Sequence, residues 1–294
     1  MENTLRTSCY LDQPLTNDPF HGINVRCFTP SEDLASYVKY YWIVQNEDTT
    51  KLKRIAKISP SGYPELFFHF GDSVSIDTPE GNLTNDATVA LVAGQITKPI
   101  YVHLNRHLNC FCVKLQPYTL NFLFDISSAE FTNKAISLNE INPGIQKEIY
   151  NELSEAKGDN MKIVIIENYL RKLLGRNDSD FCSVTYAVID HFRNSNIKIK
   201  ELEQKLNLCS RTLQRKVRED VGISPKMLYR IIRFNKAYHQ IKYFKNVNLQ
   251  DITFSLGYFD LSHMISEFKE FTGRSPLCYF KKENAFNSLF AGNL

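Results

Sequence analysis

What the chain lacks narrows the choices first. No apolar stretch approaches the ~18 residues of a membrane-spanning helix; the longest uncharged runs are as short as Val89 to Gly94. The opening segment, Met1 to Asp18, is polar and has no apolar core of the kind that directs secretion. Seven cysteines, at 9, 27, 110, 112, 182, 209 and 278, form an odd, scattered set without a Cys-x-x-Cys pair. Such a set is neither a disulfide framework nor a zinc spacing. Cys110 and Cys112 fall on one face of an expected strand. There is no nucleophile elbow, phosphate-binding glycine loop or paired-carboxylate motif. These absences argue against an enzyme, a membrane protein and a secreted disulfide module. The expectation is a cytoplasmic chain without a cofactor.

What is present is ordinary in amount and uneven in placement. The 294 residues are 43% hydrophobic and 23% charged, a globular composition, and the length suggests about two domains. The net charge is +3. Residues 183–283 hold 18 Lys+Arg against 10 Asp+Glu, a net of +8, while the rest holds 17 against 22, a net of −5. A polyanion-binding back part joined to a neutral-to-acidic front part is the reading this split supports.

The front is written in strands. Tyr37 to Val44, Leu66 to Phe70, Val89 to Val92, Pro99 to Leu104 and Cys110 to Leu115 are aromatic and β-branched. Turn formers separate them at Ser59–Gly62, Gly71–Asp72 and Thr78–Asn82. Short strands at this spacing predict a sandwich or small barrel. The period then changes. Tyr118 to Asp125 predicts a short helix; Ile145, Ile149 and Leu153 predict a second; Ile163, Ile166, Leu170 and Leu173 predict a third. Gly175 to Asp180 is a helix stop and polar linker. The expected division is a β-rich sensor over 1–140, a helical connector over 141–182 that also offers a dimer contact, an all-helical DNA-binding domain over 183–283, and a tail over 284–294. The fold class is α+β.

The last hundred residues contain a repeat. Ile199, Leu202, Leu206 and Asn207 match Leu249, Ile252, Leu256 and Gly257 at an offset of 50; after one insertion near Phe259, Leu213, Val217, Gly222 and Ser224-Pro225 match Met264, Phe268, Gly273 and Ser275-Pro276 at 51. Each unit is a short helix with an i, i+3, i+7 apolar face, a turn at Asn207 or Gly257 that tolerates left-handed backbone, and a second helix behind an N-cap former, Ser210 or Asp260. That is the helix-turn-helix pattern. Arg211, Thr212, Gln214, Arg215 and Arg218 occupy the solvent face of the first unit's second helix. Arg offers a fork to guanine and Gln one to adenine, so the face suits a major groove. Met227, Ile231, Phe234, Tyr238 and Ile241 predict one helix over Lys226 to Phe244, with Arg230, Arg233, Lys236 and Lys242 adding charge. Its length of roughly 28 Å could hold two recognition helices about one DNA turn, ~34 Å, apart.

Asp251 to Pro276, running Asp-Ile-Thr-Phe-Ser-Leu-Gly-Tyr-Phe-Asp-Leu-Ser-His-Met and on to Gly273-Arg274-Ser275-Pro276, resembles the signature of the AraC/XylS family of bacterial transcriptional regulators. The resemblance spans Ser183 to Phe280. It implies a seven-helix domain with two helix-turn-helix units. It places base-reading residues at Arg211, Gln214 and Arg215, and at Leu261, Ser262, His263 and Ser266. Family members often carry Gln where this chain has Leu261 and Arg where it has Ser266, and both departures remove hydrogen-bonding groups. The DNA contacts expected are Ser210, Arg211, Thr212, Gln214, Arg215, Arg218, Ser262, His263, Ser266 and Lys269. More loosely, Ser59 to Leu66, Gly94 to Pro99 and Leu115-Gln116-Pro117 resemble a subgroup with a cupin-like front domain.

Cupin-like folds often hold metal, through two His one residue apart plus a Glu and a further His. Here His69 stands alone, and His103 and His107 fall at opposite ends of a strand and turn, so no metal is expected. Glu65 is expected as an exposed turn carboxylate, with an inward-pointing barrel carboxylate as the alternative. Tyr37, Tyr40, Tyr41 and Trp42 are expected in the core. Together these features predict a one-component activator or repressor that binds double-stranded DNA, takes a small-molecule or protein effector on its front domain, acts as a homodimer and meets RNA polymerase. The alternatives are a cupin-like enzyme targeted by a DNA-binding domain, and a DNA-architectural protein with no signal.

Overall fold

The computed structural model describes residues 23–46, 54–72, 74–78, 81–84, 90–175, 183–243 and 248–281. The expected linker Gly175 to Asp180, apart from Gly175, and the tail over 284–294 lie outside these residues, as does Phe244. The front part is two antiparallel sheets. The first runs in the order β1 (Ile23–Phe28), β2 (Val38–Asn46), β9 (Asn109–Leu115), β4 (Glu65–His69), β7 (Ala90–Ala93), β10 (Ala135–Ser137). The second runs β3 (Arg54–Ile58), β8 (Ile100–Leu104), β5 (Ser75–Thr78), β6 (Gly81–Thr84).

Strand β9 shows why the sandwich forms. Side chains alternate between faces along a strand. Phe111, Val113 and Leu115 face one core, and Cys110 and Cys112 face another. The first core is closed by helices and the second by the other sheet. Five strands match the expected apolar runs. The other five are short or interrupted by charged or polar residues, as in Arg54-Ile55-Ala56-Lys57-Ile58, and lack a continuous apolar signal. Of the expected turn Thr78 to Asn82, the described residues belong to the antiparallel pair β5–β6, with Thr78 paired to Gly81 and Asp77 to Asn82.

Between β9 and β10 lie α1 (Thr119–Phe124) and a 3-10 turn at Ser128–Phe131. A one-turn helix α2 (Leu138–Ile141) follows, then α3 (Pro143–Glu155) and α4 (Asp159–Leu174), separated by Gly158 at φ 86°. The segment expected as a connector buries Ile149, Leu153, Ile163, Ile166, Leu170 and Leu173 on the outer face of the first sheet. The Arg26 guanidinium of β1 fastens α4 through Asp159 at 2.7 Å.

Seven helices follow among the described residues: α5 (Ser183–Asn194), α6 (Ile199–Lys205), α7 (Ser210–Val221), α8 (Pro225–Tyr243), α9 (Leu249–Ser255), α10 (Leu261–Thr272) and α11 (Pro276–Phe280). Asn207 and Gly257 are left-handed, at φ 51° and 71°, at equivalent turns of the two repeat units. No helix among the described residues is long and apolar enough to cross a membrane.

Candidate nucleic-acid interface

Helix α7 buries Leu213, Val217 and Val221, spaced four apart, and leaves the opposite side to solvent. Ser210, Arg211, Gln214, Arg215 and Arg218 are exposed on it, whereas Thr212 is half-buried, with its Oγ1 3.1 Å from Cys209 Sγ. Ser210 is the first helical residue and not the cap; Cys209 occupies the N-cap, and its side chain makes no capping bond to the backbone. The hydroxyl of Ser210 instead accepts from Gln214 Nε2 at 3.3 Å. Arg215 pairs with Glu219 at 3.3 Å. An exposed i, i+4 pair contributes only about 0.3–0.5 kcal/mol, so the guanidinium can exchange it for a phosphate or a base.

Helix α10 is capped as expected. The Asp260 carboxylate accepts the His263 N–H at 2.7 Å. Met264, Glu267, Phe268 and Phe271 are buried, and Ser262, His263, Ser266 and Lys269 are exposed. His263 Nδ1 accepts from the Phe259 N–H at 3.4 Å, and its ring stands edge-on to Tyr258. That leaves Nε2 to carry the ring proton and donate it outward. Phe259, skipped as an insertion in the repeat, is 86% exposed beside this helix start.

The cations of α8 are not all available to DNA. Arg233 is buried and holds Glu267 at 2.8 Å, with its guanidinium 3.9 Å from the centre of the Tyr258 ring. Arg230 holds the same carboxylate at 2.8 Å. Lys236 donates to the Phe192 carbonyl at 2.9 Å. The expected basic face of the connector helix is therefore largely a brace that fixes α10 against α8.

The front domain grips the first unit at the C-terminal end of α7. The last carbonyls of a helix have no partner within it. Here Ser128 Oγ donates to the Asp220 carbonyl and Thr132 Oγ1 to that of Gly222, both at 2.7 Å, and Asn121 Nδ2 reaches the Glu219 carbonyl at 3.3 Å. Tyr118, at the start of α1, sits in the core of the helical domain with Val188 and Phe192. A second grip comes from the Ser59–Tyr63 loop. Asn235 of α8 donates to the Pro60 and Ser61 carbonyls at 3.3 and 3.1 Å, and Arg193 of α5 donates to the Tyr63 hydroxyl at 2.9 Å. Neither grip covers the exposed faces of α7 and α10.

The same loop lines a cavity of about 100 Å³ bounded by strands of both sheets. Its walls are apolar, from Trp42, Val44, Ile76 and Val102 among others, and Ser59, Ser61 and Tyr63 line it as well. Glu65 corrects the expectation of an exposed turn carboxylate. It starts β4, is 6% exposed, pairs with buried Lys114 at 3.2 Å and accepts from Trp42 Nε1 at 3.1 Å. Burial opposes the Lys114 charge, but the Glu65 carboxylate outweighs it and holds the ammonium above its ordinary range. His69 is not isolated either: it faces Cys110 across the β4–β9 ladder. His103 pairs with Asp77 at 2.8 Å. Among the described residues no three His, Cys, Asp or Glu groups are placed to hold a metal.

Comparison with known families matches residues 202–282 to a helix-turn-helix domain and residues 26–137 to a domain of unknown function, DUF6597. The C-terminal part is an AraC-type helix-turn-helix domain. A helix-turn-helix fold is one that lays its second helix in the DNA major groove. No curated protein matches the chain. Among solved structures, ToxT from Vibrio cholerae is 11% identical, with 80% of this chain and 99% of ToxT covered and a TM-score of 0.46. The C-terminal domain of AraT, a response regulator from Geobacillus stearothermophilus, is 24% identical over 34% of this chain and 82% of its own, with a TM-score of 0.31. The AraC-type domain here includes both grips: Asp220 and Gly222 on one side, and Asn235 on the other.

Proposed function

We propose that the chain is a one-component transcription regulator in which the front sandwich takes an effector and the two grips pass its presence to the AraC-type domain. One observation carries this reading: the Ser59–Tyr63 loop lines both the inter-sheet cavity and the contact with α8. An effector that moves the loop binds the closed and open arrangements unequally, which is the requirement for coupling. The cavity is small and apolar, so the effector class is a small, uncharged apolar molecule. The proposal assigns the chain no enzymatic activity.

On DNA, α7 reads sequence and α10 holds position. A bidentate Arg or Gln pair discriminates between bases by about 1–3 kcal/mol. The second unit offers Ser262, Ser266, His263 and Lys269, whose shorter or single donors suit phosphates. Binding-site selection on the full chain tests the division. Arg215→Ala relaxes base preference in one half-site, Lys269→Ala weakens all sequences alike, and Ser266→Ala changes little. If Ser266→Ala scrambles a half-site while Arg215→Ala leaves the motif intact, the roles are reversed. Homodimer formation and contact with RNA polymerase belong to the same proposal, and sedimentation of the full chain with and without duplex DNA measures the first.

A further inference from the structure

On the sheet face that looks into the sandwich, β4 and β9 carry one line of titratable side chains. By the two-residue period, β9 sends Cys110, Cys112 and Lys114 to the same face. The register sets them against His69, Phe67 and Glu65 of β4. Lys114 and Glu65 answer each other; the thiols and the imidazole have no such structural reason to be there. Cys110 and Cys112 are 2% and 0% exposed, with their sulfurs 3.3 Å apart. Cys110 and His69 both line the inter-sheet cavity. Burial pushes the Cys110 thiol up, but the Cys112 S–H and the His69 charge outweigh it and bring it down to about 5. His69 is raised against its own burial by the Cys110 charge. Cys112 is pushed well above the ordinary thiol range, first by burial and then by Cys110, and so remains a hydrogen-bond donor.

We propose that Cys110 is a covalent capture site for small apolar electrophiles of the α,β-unsaturated ketone or aldehyde class, with His69 as the proton donor and Cys112 as a positioning residue. Cys110 Sγ attacks the β-carbon and forms a C–S bond. The C=C electron pair moves to the α-carbon and takes a proton from the His69 imidazolium. The product is a thioether beside a neutral imidazole; a thiol has added across a double bond, and nothing is oxidised or reduced. Size and polarity select the reagent. An engineered apolar cavity of about 150 Å³ holds benzene, so the smaller space here suits a chain of about four carbons. Charged reagents are excluded, because an unpaired charge in an apolar enclosure is costly. Cys209 and Cys278 are exposed and face no such filter. This site deepens the effector reading but stands apart from it, since adduct formation tests the chemistry and DNA affinity tests the coupling.

The experiment exposes the native full chain to but-3-en-2-one or to iodoacetate and maps adducts by peptide mass spectrometry, each rate divided by that of free N-acetylcysteine. The expected result is that the enone labels Cys110 at least tenfold faster, on this scale, than iodoacetate does, while iodoacetate labels Cys209 and Cys278 first. His69→Gln moves the onset of the Cys110 pH–rate plateau toward that of an ordinary thiol, and Cys112→Ser, which keeps a donor, moves it less. Labelling of Cys110 only after denaturation overturns the proposal. So does equal labelling by both reagents, or a Cys110–Cys112 disulfide forming in place of the adduct. If Cys110 is labelled as expected but DNA affinity is unmoved, the capture site holds and the effector reading fails.

Discussion

Gly222 offers a sharp perturbation because it has an internal control fifty-one positions on. Both Gly222 and its repeat partner Gly273 end a recognition helix in left-handed backbone, at φ 94° and 75°. An alanine at either position costs about 1–2 kcal/mol of backbone strain. Their surroundings differ. A Cβ on Gly222 meets the Ser128 carbonyl oxygen at 2.6 Å and Thr132 Oγ1 at 2.7 Å. That is roughly 1 Å inside ordinary contact, and the obstacle includes backbone of the front domain. A Cβ on Gly273 meets only the far end of the flexible Lys57 side chain. Gly222→Ala therefore has to push the front domain away, breaking the Ser128 and Thr132 hydrogen bonds to α7. At about 0.5–1.5 kcal/mol each, their loss destabilises the closed arrangement by about 2 kcal/mol, or close to 30-fold in the closed-to-open ratio. Hydrogen exchange reads that ratio directly. Protection of the Ser61–Tyr63 amides, which lie under α8, should fall about 30-fold in Gly222→Ala and hardly change in Gly273→Ala, while both variants lower the stability of the helical domain alike. Unchanged protection in Gly222→Ala, or an equal fall in both, refutes the claim that the end of α7 is where the front domain holds the helix-turn-helix domain.

Other outcomes follow from the same geometry. Arg233→Met leaves the buried Glu267 with Arg230 alone; breaking a buried pair costs about 3–5 kcal/mol, and the remaining partner should put denaturant unfolding near the lower end, with Arg233→Met/Glu267→Met recovering much of the loss. The logarithm of the DNA association constant of the full chain should fall against log salt with a slope of about −4 to −5, for about five neutralised phosphates; Lys269→Ala should flatten it by about 1, and Arg233→Met should not change it. Alkylation of Cys110 should already be on its plateau at about pH 6 to 7, because its lowered thiol is ionised there, and should decline as pH falls through about 5. Free N-acetylcysteine should keep climbing to about 8.5, and a parallel climb for Cys110 contradicts the His69 and Cys112 assignments.

The helical domain was readable because its signals are local. Leu213/Val217 and Met264/Phe268 sit one helical turn apart, and Asn207 and Gly257 mark turns by their backbone tolerance alone, so the repeat exposes its own architecture. The sandwich was half-readable. Strands such as β9, covered on both sides, are written as continuous apolar runs, whereas β3, β5 and β6 belong to the smaller sheet and carry polar residues at every second or third position. What no local pattern contains is pairing across the chain. Glu65 reads as a turn carboxylate until β4 is laid beside β9 and brings Lys114 opposite. His69 reads as solitary until the same register sets it against Cys110. Arg230 and Arg233 read as a basic face until α10 presents Glu267 to both.

Those long-range pairs also explain why the two helix-turn-helix units, so alike in sequence, can serve different ends. Helix α10 is tied to α8 by two guanidiniums on one buried carboxylate, and the front domain meets its end at Gly273 only through the flexible Lys57 side chain. Around α7 the front domain takes part as well: its hydroxyls accept the duty of capping the helix end, and Tyr118 enters the core behind it. Under the proposed function, a shift of the front domain acts on α7 through these backbone contacts, and the unit that offers the forked donors, Arg211, Gln214 and Arg215, is the one whose seating it would change.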